Sequence, residues 1–142
     1  MAVSARNQLI GTISALALGA VNDEVELTLA GGAKLVAIVT RRNQLALGLK
    51  KGKEAIALIK APWVTLVSED CGLKFSARNQ FVGSVSQVTE GTVNATVHIK
   101  TDAGFELVAG ITNESQHEMK LSQGSRVIAL IKASAILIAM RA

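Results

Sequence analysis

The chain of 142 residues holds one cysteine, one proline, one tryptophan, three phenylalanines and no tyrosine. A lone Cys71 can form no internal disulfide, which excludes a disulfide-stapled secreted scaffold and makes the cytoplasm the expected compartment. So few aromatic rings leave little surface for stacking bases, which weighs against a single-strand-binding module. No stretch approaches the roughly 18 uninterrupted apolar residues of a membrane span, so no membrane partner is expected. The small apolar segment from Leu9 to Ala20 has the look of a secretion signal, but its equivalent, Phe81 to Gly91, lies in mid-chain, and both read as strands. Long basic runs are also missing. Fifteen basic against 11 acidic residues give a net charge of +4, yet they cluster only at Arg41-Arg42 and Lys50-Lys51-Gly52-Lys53, as solvated turns do.

What is present is a duplication. Ser-Ala-Arg-Asn-Gln occurs at Ser4 to Gln8 and again at Ser76 to Gln80, and the two stretches overlay without a gap at an offset of 72 residues. Gly11 falls on Gly83, Gly52 on Gly124, and Ile56-Ala-Leu-Ile-Lys60-Ala61 on Ile128-Ala-Leu-Ile-Lys132-Ala133. Roughly 25 of about 64 paired positions are identical, as in a duplicated domain. Two domains are therefore expected, 1–70 and 71–142, with a linker around Ser68 to Lys74. Units of about 70 residues bury too little surface to be comfortable alone. With 49% hydrophobic residues, mostly aliphatic, the chain is expected to assemble with copies of itself.

Each copy reads as β structure with one short helix. Val93, Ala95, Val97 and Ile99 alternate with polar residues, the period of a half-buried strand, and Val21 to Leu29 follows suit except that Asp23 falls on the apolar face. Ala30-Gly31-Gly32 and Asp102-Ala103-Gly104 supply hairpin turns into Lys34 to Thr40 and Glu106 to Thr112. Arg41 to Leu47 and Asn113 to Met119 lack alternation and suit a helix. Nearly unbroken apolar strands follow at Ala55 to Ile59 and Val127 to Ile131, with final strands at Val64 to Val67 and Ile136 to Met140. The fold class is all-β with short helices: two tandem OB-like five-stranded barrels, each closing with its own last strand.

No catalytic site can be assembled. His98 and His117 are unrepeated and lack carboxylate or cysteine company, no Cys/His spacing fits a zinc site, and no phosphate-binding glycine loop occurs. What both copies keep is a set of donors: Ser4, Arg6, Asn7, Thr40 and Lys60, then Ser76, Arg78, Asn79, Thr112 and Lys132. Such a set suits a tetrahedral oxyanion, which offers only acceptors. The arginines could equally pair with nearby carboxylates, and the lysines could simply end strands. An exposed charge pair at about 4 Å contributes only about 1 kcal/mol in water, whereas micromolar binding requires roughly 8 kcal/mol. An anion pocket would therefore sit at a seam between barrels.

The Ser-Ala-Arg-Asn-Gln block, Val39-Thr40 and Ile111-Thr112, Leu49-x-x-Gly52 and Leu121-x-x-Gly124, and the closing Ile-Lys-Ala together resemble the Mop domain of the molbindins, small cytoplasmic molybdate-binding proteins. That resemblance implies a non-enzymatic store for molybdate or tungstate, in which six OB-like barrels surround several ions; for a two-domain chain this is a homotrimer. It implies contacts from Ser4, Ala5, Arg6, Thr40, Lys60 and Ala61, and from Ser76, Ala77, Arg78, Thr112, Lys132 and Ala133. Ser115 keeps a further family serine that Asn43 replaces, and Ser134 offers a hydroxyl where the first copy has Pro62-Trp63. The two halves should bind unequally. Rival readings are a nucleic-acid-binding OB module, permitted by fold and charge, and a molybdate-sensing regulatory partner.

Overall fold

The computed structural model describes residues 2–142. The first half contains β1 (Asn7–Ala17), β2 (Asn22–Leu29), β3 (Lys34–Thr40), α1 (Arg41–Leu47), β4 (Glu54–Ile59) and β5 (Thr65–Ser68). The second contains β6 (Asn79–Glu90), β7 (Asn94–Thr101), β8 (Glu106–Thr112), α2 (Asn113–Met119), β9 (Arg126–Ile131) and β10 (Leu137–Ala139). Short 3₁₀ turns, Ala61–Trp63 and Ala133–Ala135, join β4 to β5 and β9 to β10. Both helices fall where the loss of alternation placed them. Thr40 and Thr112 cap them, their Oγ1 atoms accepting from Asn43 N at 3.2 Å and Ser115 N at 3.1 Å.

All ladders are antiparallel, and they form two curled five-stranded sheets in the orders β10-β4-β1-β2-β3 and β5-β9-β6-β7-β8. One expectation needs correction. The closing strands are exchanged: β5 completes the second sheet and β10 the first. Both were expected as strands, but strands of four and three residues carry too short an apolar pattern to show whose sheet they join, and β4 and β9 present the same Ile-Ala-Leu-Ile.

The duplication explains local detail. Ser14 and the equivalent Ser86 sit where β1 and β6 each carry one residue more than the partner strand, and the extra residue tightens the twist of the curled sheet. Their hydroxyls donate across the bulge, Ser14 Oγ to Glu26 Oε1 at 2.7 Å and Ser86 Oγ to His98 O at 3.2 Å. Gly83 faces Lys100 O, and a Cβ there would approach it to 2.6 Å, so the curl leaves no room for a side chain. The core runs through both sheets as one cluster including Ile13, Val25, Leu27, Ile59, Ile99, Leu107, Ile131 and Ile136.

Asp23, the acid on an apolar face, is fully buried and held by Arg41: Nε lies 3.0 Å from Oδ1 and 2.9 Å from Oδ2, while Gly19 N donates to Oδ1 at 2.9 Å. The second half solves the same corner without charge, having Ala95 in place of the acid and Asn113 donating to Gly91 O at 2.9 Å. Asp23→Ala should therefore cost about 2 to 3 kcal/mol, because it strands Arg41 and the Gly19 N–H. Adding Arg41→Asn should recover most of the loss in urea unfolding.

Candidate functional site

The antiparallel ladder makes the two signatures of each repeat meet. In β1 and β4 it ends at Asn7 opposite Ile59, so the next residues outward, Arg6 and Lys60, leave the sheet side by side. Asn79 opposite Ile131 does the same for Arg78 and Lys132. A block that opens a repeat and a block that ends it are thus brought to one rim.

Within Ser-Ala-Arg-Asn-Gln the five residues divide their work. Asn79 is 2% exposed and reaches into the other repeat, where Oδ1 accepts from Val36 N at 2.8 Å and Nδ2 donates to Val36 O at 2.8 Å and Ile131 O at 3.2 Å. Asn7 mirrors it, accepting from Val108 N at 2.7 Å and donating to Val108 O at 2.8 Å and Ile59 O at 3.1 Å. A side-chain amide here imitates a strand residue and staples β1 to β8 and β6 to β3. The repeated asparagine is therefore a structural staple, although the sequence grouped it with the anion donors. Gln80 Nε2 folds back onto Phe75 O at 2.9 Å and Ala77 O at 3.0 Å, and Gln8 onto Ala5 O at 3.2 Å, shaping the segment before the strand. Ser and Arg remain exposed in both copies, beside an alanine that is buried in the first and half-buried in the second.

A cavity of about 390 Å³ gathers six of the expected residues of the second repeat: Ser76, Ala77, Arg78, Lys132, Ala133 and Ser134. The first repeat supplies the opposite wall through Ile38, Trp63 and Thr65, which nothing in the motif pattern had marked. Trp63, the single tryptophan, is 41% exposed there. Thr112 and Ser115 do not join this set. They line a second cavity of about 690 Å³ together with Ala61 of the first repeat, and Thr112 Oγ1 bonds Ser115 Oγ at 3.0 Å. By the same pseudosymmetry β3, which ends at Thr40, packs on the turn Ala133–Ala135 of the second repeat. Thr112 thus lies beside Ala61 of the first repeat's Lys-Ala block, and the strand that ends at Thr40 lies beside the corresponding turn of the second repeat. In the first repeat Arg6 and Lys60 flank the end of the β1–β4 ladder, with Ser4 and Ala5 just before Arg6 in the chain.

The two arginines differ electrostatically. Arg78 forks onto Glu24 of β2, with Nη1 on Oε1 and Nη2 3.2 Å from Oε2. The Arg78 hydrogen bond holds the Glu24 carboxyl below its ordinary range and the same bond raises the guanidinium, so both stay charged at neutral pH. The position equivalent to Glu24 in the other half is Thr96, which offers Arg6 no such counter-ion. Among the described residues a carboxylate thus holds the repeated arginine in one half only. Among the described residues no His, Cys, Asp or Glu group is placed to hold a metal cation. His117 is an exposed partner of Glu90, and Cys71 is exposed and free.

A model of the TOBE domain matches residues 3–66 and 76–138. The molybdenum transport protein ModE of Herbaspirillum seropedicae is 40% identical over 141 residues, 99% of this chain and 52% of its own. The molybdenum-pterin-binding protein MopA of Rhodobacter capsulatus is 39% identical over 140 residues, 99% of this chain and 53% of its own. The chain thus spans about half the length of the curated relatives it matches. A crystal form of the cytoplasmic molybdate-binding protein ModG with molybdate bound superposes with a TM-score of 0.93 at 42% identity, covering 99% of this chain and 100% of that one.

Proposed function

The chain belongs to the TOBE-domain family and carries the domain twice, and from that premise we propose that it binds molybdate or tungstate and stores it in the cytoplasm, without doing chemistry on the ion. The observation that carries this reading is the cavity onto which Ser76, Arg78, Lys132 and Ser134 open together. Two cationic side chains and two hydroxyls are the complement of a tetrahedral dianion, whose oxygens only accept. The guanidinium fork fixes orientation and the lysine adds a mobile point charge. Capture is electrostatic, so the ion leaves in the form in which it entered. The units 1–70 and 71–142 serve this as a pair, because each contributes walls to the other's pocket.

The likeness to molybdate-bound ModG supports the same reading. Assembly into a homotrimer of six domains is part of it. Leu18, Val21, Leu45, Leu47, Leu73 and Val93 are exposed on the chain, apolar side chains that contact with further copies would cover. Light scattering should return three times the mass of the chain. Nucleic acid is left out for a physical reason: Phe81 and Phe105 pack edge to face with centroids 4.9 Å apart against the core and offer bases no platform, and a lone exposed Trp63 is too little for a strand of stacked bases.

Titration calorimetry with molybdate tests the proposal. Saturable heat, with molybdenum retained through dialysis, supports it; no heat and no retained metal refutes it. A second titration reads the role of Glu24. Glu24→Thr, which reproduces what stands at position 96, should tighten binding in the Arg78 pocket by about threefold to tenfold, since an exposed ion pair is a weak but real competitor.

A further inference from the structure

The exchanged strands carry a charge pattern that the duplication makes readable. Across β5 and β9 the register runs from Thr65 opposite Leu130 to Ser68 opposite Val127, which sets Glu69 beside Arg126, with Glu69 N donating to Arg126 O at 3.3 Å. Arg126 Nε lies 3.0 Å from Glu69 Oε2. Across β10 and β4 the same register places Leu137 opposite Leu58 and brings Arg141 Nε to 3.2 Å from Glu54 Oε1. At the 72-residue offset Glu54 is the equivalent of Arg126, and Glu69 of Arg141. Both positions have reversed sign between the repeats, and they have done so together.

We propose that this paired reversal makes each repeat accept the closing strand of the unlike repeat and refuse its own. The faces being paired do not discriminate, because Ile56-Ala57-Leu58-Ile59 and Ile128-Ala129-Leu130-Ile131 are identical. The Asn7 and Asn79 staples are repeated as well, and so serve either pairing. A local alternative is close at hand: only residues 60–64 separate β4 from β5, and short loops close more readily than long ones. Folding β5 back on β4 in the observed register would set Glu69 against Glu54, and β10 on β9 would set Arg141 against Arg126. Like charges directly opposite destabilise a ladder, so the self-closed form meets repulsion at both ends while the exchanged form meets attraction at both. Arg126 is held in place for this by Asp102, Nη1 to Oδ1 at 2.9 Å and Nη2 to Oδ2 at 2.6 Å; its equivalent in the first half is Ala30. The rule applies equally to strands offered by a second copy of the chain. It also fixes the make-up of the cavity, since Trp63 and Thr65 reach Arg78 and Lys132 only when β5 lies on β9.

A three-cysteine reporter tests the rule in the full chain without reference to any ligand. With Cys71→Ser removing the native thiol, Thr65→Cys is combined with Leu58→Cys and Leu130→Cys, and the chain is refolded from denaturant in a thiol-disulfide buffer. Peptide mapping then reads whether position 65 has linked to 130, the exchanged pairing, or to 58, the self-closed one. Opposed residues in an antiparallel ladder are close enough for either bond. With native charges the link to 130 should dominate. Glu69→Arg with Arg126→Glu and Asp102→Ala keeps opposite charges in the exchanged form but also satisfies the self-closed one, and the ratio of 58 to 130 links should rise about tenfold. Glu54→Arg with Arg141→Glu does the same from the other side and leaves the Arg126 and Asp102 pair intact, so its fold does not depend on that pair. An unchanged ratio in this second variant, or a large share of 58 links with native charges, would overturn the proposal.

Discussion

Asn79→Leu is expected to lower the unfolding free energy by about 3 to 5 kcal/mol, an effect that within the repeated motif only the equivalent Asn7 should match. Leucine keeps the branching of asparagine without its polar atoms, so the change removes hydrogen-bonding groups without opening a cavity. Three hydrogen bonds of 2.8 to 3.2 Å disappear, and Val36 N–H and C=O are left facing a side chain that cannot answer them. Each lost bond contributes about 1 kcal/mol, and a buried group without a partner costs about 1 to 3 kcal/mol more. Asn7→Leu should behave alike through Val108. Because the staples tie β6 to β3 and β1 to β8, the loss should appear as one lowered midpoint in guanidinium unfolding. Gln80→Leu, at an exposed site, should move it far less.

Arg78→Ala should do the reverse, weakening molybdate binding about 30-fold or more at the cavity while leaving that midpoint almost unmoved. Arg78 is about half exposed, and its partner Glu24 gains freedom when it goes. Arg78→Lys should recover only part of the affinity, since it restores the charge without the planar fork. Lys132→Ala should weaken binding by a smaller factor, because a flexible ammonium on the rim is more easily replaced by water. Calorimetry paired with unfolding curves separates these outcomes from the Asn79 result: one change alters affinity at constant stability, the other alters stability first.

The contrast between two residues adjacent in sequence shows what the chain reveals about itself. Duplication marked Arg78 and Asn79 equally, and both are polar groups able to donate. Only burial tells them apart: both cross the repeat boundary, but Asn79 does so from a buried site onto the backbone of β3, and Arg78 from an exposed one onto the Glu24 carboxylate. Strand alternation, the two helices and the turn at Gly52 were legible because each depends on residues near one another in the chain. The exchange of β5 and β10 was not, since identical β4 and β9 faces give period and propensity nothing to choose between. Its trace lay instead in sign, in Glu54 against Arg126 and Glu69 against Arg141. The grouping of Thr112 and Ser115 with Ala61 followed from the same exchange. Asp23 was conspicuous as a charge on an apolar face, and its partner Arg41 sat in a cluster that read as a solvated turn.

Anomalous diffraction at the molybdenum edge, from crystals of the intact protein equilibrated with molybdate, bears most directly on whether the ion is held in a pocket shared between repeats. A peak is expected within hydrogen-bonding reach of Arg78, Lys132 and the Ser76 and Ser134 hydroxyls, walled on the far side by Trp63 and Thr65 of the other repeat. Molybdenum located only at sites remote from both arginine-lysine rims would contradict it.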